Sequence, residues 1–409
     1  QTAREEIGSK HVVGAARSAI TMRAPLLSLL FLPCTAAYSA LHCKPTLCAP
    51  AFARRTRILR ATASPAALGV NASAVPEINS MATQQQAASG PSSLAGVAAA
   101  LWRFSRPHTM LGSALCIPAL SVFAAPSGLA LSPTLAALVV YALVPSLLIN
   151  VYIVGLNQLY DIEIDRINKP YLPLVTGELS VGAGTAIVCS SLILGLLLGS
   201  AYPPLCSAAL RATLWGSALL GTVYSLPPLR LKRFPLLASL CIMSVRGALI
   251  NWGFFTHAST VLNAVGAAAC ATSRWRVIGP VAFFTLFGSV IALVKDVPDV
   301  AGDRKYGVRS LSVRVGQERV LQLAVRLLAL TLSGAAAALA VAATFACQAN
   351  AWLACARRSA VALLGFAAAA CVMRKSQAVS ATDGKEVYAY YMWLWKIFYA
   401  SYICLPFAR

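Results

Sequence analysis

The chain has 409 residues, 58% of them hydrophobic and only 11% charged, with a formal net charge of +21. So low a charged fraction excludes an ordinary soluble domain, in which about a quarter of the residues carry charge. The bases are spread over loops and an N-terminal stretch rather than gathered on one face, which excludes a nucleic-acid binder and favours contact with anionic headgroups at a bilayer surface.

Up to about residue 95, nine Lys or Arg stand against only Glu5, Glu6 and Glu77. The basic, hydroxyl-bearing stretch ARRTRILRATAS, with Arg54, Arg55, Arg57 and Arg60, reads as an organelle transit peptide. MRAPLLSLLFLPCTAAYSA, from Met22, reads instead as a secretory signal, and a plastid surrounded by extra membranes accommodates both. Residues 1–78 are therefore expected to be a targeting region, and residues 79–100, built on NSMATQQQAASGPSSLAG, a low-complexity linker.

Residues 101–409 are expected to form one integral membrane domain. Apolar runs fall near 109–126, 133–156, 181–201, 207–226, 236–257, 278–295, 320–346, 351–373 and 388–407. That gives an all-α bundle of about nine transmembrane helices, with eight or ten also compatible. Twelve Cys are scattered without a CxxC pair, and those in apolar runs, such as Cys189, Cys241, Cys270 and Cys371, read as buried, reduced thiols.

Ten acidic residues lie beyond the N-terminal region, and seven fall in two short stretches. The first holds Asp161, Glu163, Asp165 and Glu178; the second, KDVPDVAGDRKYGVRS, holds Asp296, Asp299 and Asp303. A charge near hydrocarbon costs on the order of 3 kcal/mol, so its retention points to function. If the second span stays helical to its end, Asn157, Asp161 and Asp165 recur every four residues on one face. Asp296, Asp299 and Asp303 recur at three and four, with Pro298 and Gly302 loosening the turns. Two such faces at span ends can meet across a shared cavity.

Carboxylate oxygens suit Mg2+, which keeps waters while bridging a few carboxylates to substrate phosphates. Lys169, Arg166, Lys295, Arg304 and Lys305 stand nearby to meet phosphate charge. A Mg2+-diphosphate site fits this inventory; the alternative is a pair of solvated loop ends whose acids pair with neighbouring bases. Pro170 and Pro173 in NKPYLPLVTGELS hold the chain extended, and Gly177 permits a turn, giving an ordered loop able to cap the cavity.

NQLYDIEID, of the form N-Q-x-x-D-x-x-x-D, and KDVPDVAGD, of the form K-D-x-x-D-x-x-x-D, resemble the paired signatures of the UbiA superfamily of membrane prenyltransferases. The resemblance covers about residues 101–409. WRFSRPHT, NVYIVGLNQLYDIEIDRINKPYLPL and KDVPDVAGDRKYGVRSLSVRVGQ look more narrowly like the plastid homogentisate prenyltransferases. GLNQL, TGELS, GFFTH and GVRSLSVRVGQ lean toward the branch that uses phytyl diphosphate in tocopherol synthesis; YDI and GDRKY also occur in the solanesyl branch of plastoquinone synthesis.

The resemblance implies nine helices around a central cavity that opens laterally to lipid, in a plastid membrane. It implies Mg2+-dependent transfer of the prenyl group to homogentisate, with loss of the carboxyl as CO2. Asn157, Asp161, Asp165, Asp296, Asp299 and Asp303 would then hold the metal and act in catalysis. Lys169, Lys295 and Arg304 are candidates for diphosphate contacts, and Arg246 for the homogentisate carboxylate or the diphosphate, against snorkelling to headgroups. Arg106 and His108 in FSRPHT belong to the pattern at the first span, where a headgroup anchor also explains them. His257 is either a cap or a group at the aqueous mouth, and the aromatic run YAYYMWLWKIFYASY reads as an interfacial belt or helix packing before a prenyl-binding stripe. A transporter is the rival from another class; it places acids near mid-span with inverted-repeat symmetry.

Overall fold

The computed structural model describes residues 93–126, 132–264 and 274–409. The targeting region, most of the linker and Cys270 lie outside the described residues. Among the described residues there is no strand. In chain order come α1 (Leu94–Phe104), α2 (Pro107–Ala124), α3 (Pro133–Tyr160), α4 (Ile162–Asn168), α5 (Pro173–Thr176), α6 (Val181–Ala201) and α7 (Ala208–Ser225). There follow α8 (Pro235–Ala264), α9 (Ile278–Lys295), α10 (Val300–Lys305), α11 (Leu311–Val315), α12 (Gln317–Gln348), α13 (Trp352–Ser376) and α14 (Gly384–Cys404).

Seven of these, α2, α3, α6, α8, α9, α12 and α13, are long and apolar enough to cross a membrane, so this is a multi-pass membrane protein. The spans expected near 207–226 and 388–407 coincide with α7 and α14, of 18 and 21 residues. Both are less apolar: α7 carries Arg211 and several hydroxyls, and α14 carries Lys396 among tyrosines and tryptophans.

α1 begins inside the stretch read as linker. Ser93 accepts a hydrogen bond from the Gly96 N–H at 3.1 Å, which satisfies a free donor of the first turn, and Ala100 and Phe104 are buried. Small side chains that read as low complexity thus suffice for two helical turns docked beside α5.

The segments after α3, α7 and α9 are tied to one another, Gly302 to Asn168 and Arg230 to Tyr160 and Asp161. They therefore gather at one end of the bundle, and that is where the acids lie. At the opposite end His257 is fully buried, its Nδ1 2.9 Å from Oγ of Ser207, the residue that caps α7. Its role is that of a cap partner rather than a group at the acidic mouth. The aromatic run of α14 is mostly packing: Phe284 of α9 stacks on Tyr402 at 3.8 Å, and Phe287 meets Phe398 at 5.1 Å. Of the thiols expected to be buried, Cys241 is buried, Cys189 half-buried and Cys371 exposed on the outer side of α13, a surface an apolar thiol can present to lipid.

Candidate active site

The first acidic stretch is not one continuous helix. α3 ends at Tyr160, and Asp161, at φ −116° and ψ 10°, is a joint from which α4 starts. Its N–H donates to the Gln158 carbonyl at 3.2 Å, while its own carbonyl accepts from Asp165 at 2.7 Å. Arg230 Nη2 holds the joint from outside, donating to the Tyr160 carbonyl at 3.1 Å and to Asp161 Oδ1 at 2.9 Å. The single face expected from the four-residue spacing is thus split across two helices, yet Asn157, Asp161 and Asp165 still line one cavity. Asn157 Nδ2 donates to Asp161 Oδ2 at 3.0 Å. Beyond α4 the chain turns through Pro170 into α5 and leaves it at Gly177, whose φ of 81° suits glycine.

The second stretch has the same plan. α9 stops at Lys295, three residues before Pro298, and α10 restarts from Asp299, whose carbonyl accepts from the Asp303 N–H at 3.0 Å. The two stretches are pinned together where the Gly302 N–H donates to Asn168 Oδ1 at 2.9 Å.

All six oxygen-bearing residues line a single cavity of about 60 Å³, together with Arg106, Lys169, Lys232, Lys295 and Ser310. With Arg230 behind Asp161, five carboxylates face five cations. Lys169 Nζ bridges the two stretches, 2.6 Å from Asp299 and 3.5 Å from Asp165. Lys232 joins Arg230 on Asp161, and Lys295 lies 3.4 Å from Asp296. The pairing of acids with bases that the sequence offered as an alternative is therefore present, inside a cavity rather than on solvated loop ends.

These charges are tuned by burial and by one another. Burial disfavours the Asp161 carboxylate, but Lys232 and Arg230 outweigh it and hold that carboxyl below its usual range. Burial pulls the Lys232 ammonium down to about 8, with Asp161 opposing. It also pushes up Asp165, and takes Asp303 to about 7 with help from the charges of Asp296 and Asp299. Burial works against the Lys169 ammonium too, yet Asp299 and Asp165 raise it above its ordinary value.

Among the described residues no three acidic side chains stand close enough to cage an ion by themselves. Asp165 Oδ2, however, is buried without a hydrogen-bond partner, a hard oxygen open to a cation. The donor set is oxygen only, matching an ion held by a few carboxylates and completed by waters and a bound anion. In donor chemistry these residues are compatible with Mg2+.

Two larger spaces adjoin this cavity. A vestibule of about 990 Å³ is lined by Arg103, Lys169, Tyr171, Asp299 and Tyr388 among others. A mostly apolar chamber of about 210 Å³ runs between α2, α3, α7, α8, α9 and α14, with Ile153, Val154, Leu214, Phe254 and Ile291 in its wall. Arg106 and Lys295 line all three spaces, and Asn157 lines both the acidic cavity and the chamber. His108 faces the vestibule and the chamber, 5.4 Å edge-on from Trp395. Arg246 lines the chamber alone. Arg304 is exposed on α10 and lines none of these spaces, so the structure does not bring it to the site.

Arg230, Lys232, Asn168 and Tyr224 belong to the site and were not singled out by sequence reasoning. A signal for the first two exists: LPPLRLKRFP joins two spans, and counting alternate crossings places it at the acidic end. Arg106 and Arg230 are also two of the three non-glycine residues with positive φ among the described residues, at 50° and 34°. Strain of this kind gathers at functional sites.

The model of the UbiA prenyltransferase family matches residues 115–397. Homogentisate phytyltransferase 1, chloroplastic, of Arabidopsis thaliana is 40% identical over 316 residues, 76% of this chain and 75% of that protein. Homogentisate geranylgeranyltransferase of Hordeum vulgare is 38% identical over 311 residues, 75% of this chain and 72% of that one. Homogentisate phytyltransferase of Synechocystis is 36% identical, covering 76% of this chain and 95% of the relative. The fold is shared with a solved UbiA homolog from Archaeoglobus fulgidus bound to DMAPP and Mg2+, at TM-score 0.52 and 20% identity over 75% of this chain and 98% of that one.

Proposed function

Because the chain belongs to the UbiA prenyltransferase family, we propose that it transfers a phytyl group from phytyl diphosphate to homogentisate in a plastid membrane, with loss of the acceptor's carboxyl as CO2. The observation that carries this reading is the convergence of both acidic stretches on one cavity at the head of an apolar chamber. The acceptor and the plastid location rest on the relatives, whose names specify homogentisate and, for those of Arabidopsis thaliana and Oryza sativa, the chloroplast. The acids sit at helix ends beside cations and the family is one of enzymes, which sets the transporter reading aside.

Asn157, Asp161, Asp165, Asp296, Asp299 and Asp303 would hold Mg2+. When bound, the metal neutralises diphosphate charge and stabilises the departing pyrophosphate. Lys169, Lys295 and Arg106 face the same space and donate to phosphate oxygens, with Lys169 exchanging its carboxylate partners for the ligand. The prenyl chain lies in the chamber. Its walls exclude water from the allylic cation left when the diphosphate bond breaks, and the aromatic side chains of Tyr224 and Tyr391 line the chamber. The electron-rich ring of homogentisate then supplies the electron pair of the new carbon–carbon bond and gives up the proton of that ring carbon, while cleavage of the side chain's bond to its carboxyl releases CO2 and leaves a methyl group that takes up one proton.

The barley relative named for geranylgeranyl transfer is nearly as similar as the phytyl enzymes, so geranylgeranyl is the second donor reading. The full chain in lipid vesicles, given Mg2+, homogentisate and equal phytyl, geranylgeranyl and solanesyl diphosphate, is expected to yield chiefly methylphytylbenzoquinol by mass. A dominant geranylgeranyl or solanesyl product moves the donor assignment, and no prenylated homogentisate in any channel removes the acceptor.

A further inference from the structure

The central chamber is lined by Arg106, Arg246, Lys295 and His108 but by no Asp or Glu. Cations inside a membrane bundle are costly unless paired, and Arg106 and Lys295 reach the acids of the neighbouring cavity. Arg246 does not. Among the described residues it forms no salt bridge with any carboxylate, and the ring it lies against is that of Trp395.

The protein nevertheless builds this position with care. Arg246 rides on a π-helical segment of α8, Met243–Leu249, a local widening common at functional positions. Asn251 Nδ2 donates to the Arg246 and Gly247 carbonyls at 3.0 and 2.7 Å, and Tyr402 donates to Asn251 Oδ1 at 3.1 Å. The guanidinium lies 5.2 Å from the centre of the Trp395 ring. A Cβ on Gly112 would stand 3.1 Å from Nη1, so this glycine leaves the guanidinium its room. A side chain that merely snorkelled to headgroups would need none of these supports.

Resting on the reading that homogentisate is the acceptor, we infer that Arg246 is the acceptor's carboxylate subsite. It selects an aromatic acid over a neutral phenol while the diphosphate is held separately at the acidic cavity. The guanidinium offers paired N–H donors to the carboxylate, and the Trp395 face beneath it fixes their direction. Arg246 thereby supplies the positive charge that an ionised acceptor needs on leaving water for an apolar chamber.

The test uses the full chain in lipid vesicles with homogentisate and with its neutral amide, 2,5-dihydroxyphenylacetamide, comparing wild type, Arg246→Gln and Arg246→Lys. Loss of a charged hydrogen-bond pair is expected to raise KM for homogentisate by about 10- to 100-fold in Arg246→Gln, and less in Arg246→Lys. KM for the amide and for the prenyl diphosphate should stay within about threefold, which also shows that the variants are folded. Equilibrium binding of labelled homogentisate without donor should fall in parallel. An unchanged KM and affinity for homogentisate would overturn the subsite, and so would a parallel rise in KM for the diphosphate. If wild type binds homogentisate through Arg246 but does not prenylate it, the subsite stands and the proposed reaction falls. If wild type neither binds nor prenylates it, both fall.

Discussion

Replacing Gly302 with alanine tests how closely the two acidic stretches must be held. A Cβ at this position would lie 2.5 Å from Asn168 Oδ1 and 2.7 Å from its Cγ, well inside ordinary contact. For relief the Asn168 amide, whose Nδ2 is buried, has to swing aside and release the Gly302 N–H or push α4 and α10 apart by roughly 1 Å. Overpacking of this kind costs about 1–3 kcal/mol, and the lost hydrogen bond about 1 kcal/mol more. A misplacement near 1 Å is enough to lower turnover by about 100-fold. We expect Gly302→Ala to insert normally, to melt several degrees lower in detergent and to lose about two orders of magnitude in kcat. Asn168→Ala, which removes the bond without a clash, should lose only about fivefold, the equivalent of one hydrogen bond. The double variant should recover to near the Asn168→Ala level, since the alanine then has space; this non-additivity is the readout. A double variant as impaired as Gly302→Ala alone, or a Gly302→Ala enzyme with normal turnover, would refute the reasoning.

Asp161→Ala and Asp296→Ala are each expected to abolish turnover while leaving membrane insertion intact, and substantial residual activity in either would remove the two-cluster assignment. Chelation of divalent ions should stop product formation, and Mg2+ with prenyl diphosphate should raise the melting temperature more than either alone, as binding to the folded state requires. Arg304→Ala should stay within about twofold of wild type in kcat/KM, because Arg304 is exposed away from all three spaces. Glu178→Ala breaks the ion pair of Glu178 with Arg103 that ties α1 to the loop after α5. Both side chains are partly exposed, so this should cost no more than about 1 kcal/mol and change turnover by less than about threefold.

The acidic stretches and their convergence were legible in the sequence, because charge in so apolar a chain is conspicuous and its spacing survives the break at Asp161. The break itself was not, since nothing in NQLYDIEID stops a helix; it coincides with the grip of Arg230, from a loop about seventy residues away, on the Tyr160 carbonyl. Arg230 and Lys232 escaped notice for the same reason: a basic loop between spans looks like an ordinary headgroup contact until crossings are counted. Arg304 is the opposite case, conspicuous in the sequence yet exposed outside all three spaces. Its neighbour Asp303 points into the cavity, and on a helix adjacent residues face about 100° apart, so Arg304 turns outward. Tyr391 and Trp395 show a third limit, since one face of α14 both packs the bundle and lines the chamber, and periodicity cannot separate those duties.

The most direct test of the central claim follows the carboxyl carbon. With homogentisate labelled at the carboxyl, the full chain, Mg2+ and phytyl diphosphate, labelled CO2 is expected to appear mole for mole with prenylated quinol and pyrophosphate. All three should vanish together in Asp296→Ala. A prenylated product that keeps the label, or label released in the Asp296→Ala protein, would contradict the account.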